Sequence, residues 1–151
     1  MKARFYVHRY VWPKDDVLQD ASSLHRVGKI LDARPNDAEF YNSYLLGAIT
    51  GDLAGNRGGE VDRVLGAIEQ LERGDVGEVV TGGEGFVHHL TPKRVRFEHS
   101  VFGECPEWPI WCCTLAQYKA ALQGYRRFLD MPKSIDSELI IDLPDGEARC
   151  D

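Results

Sequence analysis

Apolar and polar positions along this chain switch period several times, and each switch marks an element. Residues 3–11, ARFYVHRYV, alternate Phe5, Val7, Arg9 and Val11 with Tyr6, His8 and Tyr10, which predicts a strand ended by Trp12-Pro13-Lys14-Asp15-Asp16. From Asp20 to Leu31 the period lengthens: Leu24, Val27, Ile30 and Leu31 follow Ser22 and Ser23 at helical spacing, closed by Arg34-Pro35. A second helix is expected from the capping-box pattern Asn36-Asp37-Ala38-Glu39, ahead of Phe40, Tyr41, Tyr44, Leu45 and Ala48. The four glycines between Gly51 and Gly59 make that stretch a loop or a helix end. Glu60 to Arg73 then carries Val61, Val64, Leu65, Ile68 and Leu71 on one stripe, with Gly74 as its C-terminal cap.

After Gly77 the period returns to two. EVVTGG, GFVHHL and RVRFEHSVF are short alternating runs separated by Gly82-Gly83 and by Thr91-Pro92-Lys93-Arg94, the pattern of successive antiparallel strands. An extended stretch from Pro109 to Cys113 leads into a second capping-box match, Thr114-Leu115-Ala116-Gln117. Leu115, Tyr118, Leu122, Tyr125 and Leu129 follow on one helical face. Met131-Pro132 stops that helix, and Glu138 to Leu143 reads as a last strand. The expected architecture is one α+β domain over residues 1–151. Its antiparallel sheet comes from the middle and end of the chain and is packed by three or four helices.

The length of 151 residues suits one domain, and 43% hydrophobic with 28% charged residues is an ordinary globular balance. A net charge of −6, from 24 acidic and 18 basic residues, argues against a nucleic-acid footprint and suits a basic macromolecular partner. No apolar run follows Met1, so neither a signal peptide nor a membrane span is expected, and the expected location is cytoplasmic. In that compartment Cys105, Cys112, Cys113 and Cys150 are expected as free thiols without disulfides.

The chemistry-bearing residues form no strong catalytic or metal motif. His88, His89, His99, Cys105, Cys112 and Cys113 lack paired metal-ligand spacing, and adjacent residues of a strand point to opposite faces, so no metal or cofactor is expected. In a hairpin of 85–90 with 95–102, His99 shares the apolar side with Val95, Phe97 and Val101 and reads as a hydrogen-bonded histidine at the core edge. Cys113, just before a helix N-terminus, is the best nucleophile of the chain and supports an alternative reading, a small cysteine-dependent enzyme or ligand-binding domain using a histidine such as His99. The glycine-rich GDLAGNRGGE lacks the Lys-Ser or Lys-Thr ending of a phosphate loop.

What remains is a concentration of aromatic and acidic residues: Glu98, Glu104, Glu107, Trp108 and Trp111, with Asp15 and Asp16 beside Trp12. Tryptophans anchor protein interfaces and carboxylates steer basic partners, although Trp108 and Trp111 could equally fold inward. From PIWCCTLAQYKAALQGYRRFLDMP to SIDSELIIDLPDGE, a capped helix ending in Phe-Leu, then Met-Pro, then an acidic apolar strand closing in Leu-Pro-Asp, resembles small bacterial immunity proteins of contact-dependent inhibition and related polymorphic toxin systems. The resemblance implies a cytosolic antidote that binds a cognate toxin domain, often a nuclease, and blocks it by occupancy. It implies no direct contact with nucleic acid or membrane, and it carries no functional residues over by position. Self-association with further copies of the chain is a third class left open.

Overall fold

The computed structural model describes residues 1–10 and 24–151. The fold class is α+β, as the patterning predicts, but the strands sort into two antiparallel sheets. The first has the order β2-β1-β7, with β1 at Lys2–Arg9, β2 at Leu24–Ile30 and β7 at Glu138–Asp142. The second has the order β3-β4-β5-β6, with β3 at Val79–Gly82, β4 at Phe86–Leu90, β5 at Val95–His99 and β6 at Trp111–Cys113. The final strand therefore joins the first strand instead of the middle ones, pairing Lys2 with Asp142 through to Tyr6 with Glu138.

The helix expected over Asp20–Leu31 is corrected: residues 24–30 are β2, paired with β1 from Ala3↔Ile30 to Arg9↔Leu24. A spacing of three among Leu24, Val27 and Ile30 fits a helix, but Gly28 weakens one. In the strand, Gly28 instead admits its neighbours closely, since a Cβ there would lie 3.1 Å from both Leu46 Cβ and the Phe5 ring. Residues 20–23 of that expected helix, and Val11 of the expected first strand, lie outside the described residues.

The next helical rod is α1 at Pro35–Phe40, a π-helical segment at Tyr41–Leu46 and α2 at Gly47–Asp52. It begins two residues earlier than the Asn36 capping pattern predicts: Arg34 is the N-cap, without a side-chain cap, and Pro35 occupies the first turn, where its missing N–H costs nothing. Asn42 in the π segment accepts the Ile30 N–H at 2.7 Å, which ties the rod to the edge of β2. The Gly59–Arg73 helix, α3, ends on Gly74 with φ 79°, the left-handed cap expected from the sequence.

The Leu115–Leu129 helix, α4, carries the predicted capping box: Thr114 Oγ1 accepts from the Gln117 N–H at 3.0 Å, and Gln117 Oε1 accepts from the Thr114 N–H at 3.1 Å. This helix bridges the two sheets. Tyr118 meets Phe97 and His88 of the second sheet, while Tyr125 and Phe128 meet Phe5 of the first. Tyr118, Tyr125, Phe128, Phe5 and Phe97 are essentially inaccessible, so the core runs along α4 from one sheet to the other. At Gly124 the helix backbone sits against β7, where a Cβ would lie 2.7 Å from Ile141 Cδ1 and 2.9 Å from its Cγ2.

Candidate functional site

Past β5 the chain makes two local turns that shape the aromatic and acidic stretch. The Gly103 N–H donates to the His99 carbonyl at 3.0 Å, and His99 Nδ1 accepts the N–H groups of Val101 and Phe102 at 3.2 and 3.1 Å. His99 is thus the core-edge histidine that the alternation predicts, with its ring against Phe86, Phe102 and Trp108. Val101 departs from expectation. The strand ends at His99, and Val101 and Phe102 stand 74% and 69% exposed.

The second turn is Cys105-Pro106-Glu107-Trp108, closed by reciprocal backbone hydrogen bonds between Cys105 and Trp108. Proline at its second position presets the backbone, and the tip carries Glu107 into solvent. Trp108 is half-buried, its ring beside Tyr44, Phe86 and His99. Tyr44 is itself fixed, because its hydroxyl donates to the Pro109 carbonyl.

The predicted surface residues are therefore distributed unequally. Glu104 and Glu107 are exposed, and neither has an ion-pair partner among the described residues. Glu98 is half-buried in β5 with Arg96 at 3.9 Å. Trp111, half-buried like Trp108, stacks at 5.9 Å on Phe97 and lies nearly parallel to Phe40 at 6.4 Å, with Tyr41 against its edge. Asp15 and Asp16, with Trp12, lie outside the described residues. The fold adds residues that sequence reasoning missed, Glu39 and Phe40 from α1 and Phe102 from the turn. Phe40 precedes Tyr44 by four residues and so reads as part of a core stripe, yet it is 39% exposed beside Trp111.

Two recesses flank Trp108 and Glu107. One, of about 390 Å³, is lined by Phe102, Cys105, Glu107 and Trp108. The other, of about 320 Å³, lies between Phe40 and Trp108, with Glu39 and Glu107 on its lining. This face offers aromatic contact area beside Glu39 and Glu107, carboxylates without an ion-pair partner among the described residues.

A second constellation lies inside the protein. His88, on the face of β4 shared with Phe86 and Leu90, is fully buried between Asp52 Oδ2 at 3.0 Å from Nε2 and the Tyr118 hydroxyl at 2.8 Å from Nδ1. A carboxylate only accepts, so Nε2 carries a proton toward Asp52, and in the neutral ring Nδ1 then accepts from the Tyr118 hydroxyl. Asp52 also accepts the N–H groups of Gly85 and Phe86 at 2.9 and 3.1 Å. Burial pushes the Tyr118 hydroxyl well above its ordinary range, with the nearby Cys113 and Asp52 adding to the effect. The chain carboxyl–imidazole–hydroxyl has the order of a catalytic relay, but the three side chains are 5%, 0% and 0% exposed. Its work is structural: it joins the end of α2, the β3–β4 hairpin and α4.

The cysteine expectations need correction. Cys112 and Cys113 do point to opposite sides of β6, but Cys112 forms a disulfide with Cys150, with Cα atoms 5.5 Å apart. The C-terminal segment reaches it because Gln117 Nε2 donates to the Pro144 and Gly146 carbonyls and Arg94 donates to those of Arg149 and Asp151. Cys105 and Cys113 remain free. Cys113 is 1% exposed, and burial drives its thiol far above the ordinary range, the reverse of an activated nucleophile. Cys113 pairs with Val95, and His99 lies four residues further along β5, about 13 Å at strand rise, outside hydrogen-bond reach. Among the described residues no three His, Cys, Asp or Glu side chains converge as a metal ligand set.

Among the described residues no helix is long and apolar enough to cross a membrane. Comparison with protein-family models, curated proteins and solved structures finds no match for this chain.

Proposed function

We propose that this protein is a stoichiometric inhibitor: an immunity protein that binds a basic toxin domain, such as a nuclease, and neutralises it by occupancy. The observation that carries the reading is the face around Trp108, where Phe40 and Phe102 stand exposed beside Glu39 and Glu107, with the exposed Glu104 just ahead of the Cys105 turn, all three carboxylates without basic partners among the described residues. Exposed aromatics supply contact area on a rigid base, and unpaired carboxylates attract a basic surface from a distance. Both tendencies agree with the net charge of −6 and with the resemblance of the C-terminal third to immunity proteins. The cysteine-enzyme alternative loses its basis with Cys113 sealed in the core and remote from His99.

The test is binding of the polypeptide encoded immediately upstream of this chain's gene. The reading predicts a 1:1 complex that abolishes the partner's toxicity on co-expression. Replacing Glu104 and Glu107 by Lys is expected to slow association at low salt, whereas replacing the exposed Glu69 on α3 by Lys is expected to leave it unchanged.

A further inference from the structure

The recess between Phe40 and Trp108 differs chemically from the rest of the surface. Tyr44 forms its floor, with ring centroids 6.0 Å from Phe40 on one side and 6.0 Å from Trp108 on the other. Pro106 contributes to its wall, while Glu39 of α1 and Glu107 of the turn reach it from opposite elements. Among the described residues no Lys, Arg or His lines it. Neither Glu39 nor Glu107 is paired with a basic side chain among the described residues. Rings with a negative face, set beside two uncompensated carboxylates, favour a cation; an anion or a purely apolar side chain would leave the carboxylates unmatched.

From this geometry we infer that the recess is a socket for an arginine side chain presented by the protein partner. A guanidinium is planar and weakly hydrated, stacks on aromatic faces and donates hydrogen bonds to two carboxylates at once, whereas an ammonium is compact and strongly hydrated. A volume of about 320 Å³ accommodates one long side chain and excludes a folded element, so the occupant enters as a single prong. The adjoining recess beside Phe102 shares Glu107 and Trp108 with this socket. The assignment rests on the antidote reading for its partner but not for its chemistry.

The experiment uses the full chain, 15N-labelled, titrated with acetyl-Gly-Arg-Gly-amide and with the same peptide carrying citrulline or lysine. The Trp108 indole N–H is the reporter, assigned with Trp108→Phe. The socket predicts a saturable shift with the arginine peptide, at least about tenfold weaker binding of the lysine peptide and no response to citrulline. The double variant Glu39→Gln/Glu107→Gln is expected to weaken the arginine response at least about tenfold while its backbone spectrum stays native. An unmoved Trp108 indole, or equal responses to arginine and citrulline, overturns the assignment. If arginine binds but the upstream-encoded polypeptide does not, the socket stands and the antidote reading falls. If that polypeptide binds the double variant undiminished, the socket falls and the antidote reading stands.

Discussion

Replacing Asp52 by Ala removes one carboxyl group that accepts three hydrogen bonds, from the Gly85 and Phe86 N–H groups and from His88 Nε2. The side chain is 5% exposed, so water does not replace it freely. A buried donor left unsatisfied costs about 1–3 kcal/mol, and the hairpin end at Gly85 can relax enough to recover part of that, which places the total at about 3–6 kcal/mol. Against about 5–15 kcal/mol for a whole domain, this is a large fraction. Urea unfolding followed by far-UV circular dichroism reads it as a fall in midpoint at unchanged slope. Asp52→Asn keeps an acceptor for one N–H and is expected to lose about half as much. A loss under about 1 kcal/mol for Asp52→Ala would refute the view that this carboxyl pins the hairpin to α2 and α4.

Gly124→Ala gains about 1 kcal/mol of helix propensity, but its Cβ meets Ile141 Cγ2 at 2.9 Å and overpacking costs about 1–3 kcal/mol, so a net loss of up to about 2 kcal/mol in thermal or urea unfolding is expected. Reducing the Cys112–Cys150 disulfide, or replacing Cys150 by Ser, reopens a 38-residue separation and is expected to lower stability by up to about 4 kcal/mol; a reductant should then have no further effect on the Cys150 variant. Burial raises the Tyr118, Tyr125 and Cys113 groups above their ordinary values of 10.0, 10.0 and 9.0, so the unfolded chain releases these protons first as pH rises. The stability from keeping them neutral is complete below pH 9 and declines above it, by up to about 1.4 kcal/mol per pH unit for each ionising group; a flat urea midpoint from pH 8 to pH 10.5 would contradict this.

Local signals were legible in the sequence wherever neighbours in the chain are also neighbours in space. Thr114 and Gln117 announce α4, Gly74 ends α3, and alternation along β5 places His99 at the core edge. Alternation could not tell what His88 touches, because Asp52 and Tyr118 are 36 and 30 residues away. The β2 segment reads as a helix in sequence because Leu24, Val27 and Ile30 satisfy a helical spacing, and the pairing with β1 that makes it a strand is a tertiary fact. The disulfide was hidden for the same reason, since Cys150 approaches Cys112 only through the anchoring of residues 144–151. Of the candidate surface, Glu104, Glu107 and Trp108 were readable as one stretch, whereas Glu39 and Phe40 join them only through the packing of Tyr44 against Trp108.

The central claim is that the acidic aromatic face captures a basic toxin domain. The most direct measurement is isothermal titration of this chain with the upstream-encoded polypeptide, run in parallel for wild type and for Glu104→Lys/Glu107→Lys. The account predicts a 1:1 stoichiometry for wild type and affinity at least about tenfold weaker for the variant at low salt, with the difference shrinking as salt rises. No heat of binding for wild type, or identical curves for the two proteins at every salt concentration, would contradict it.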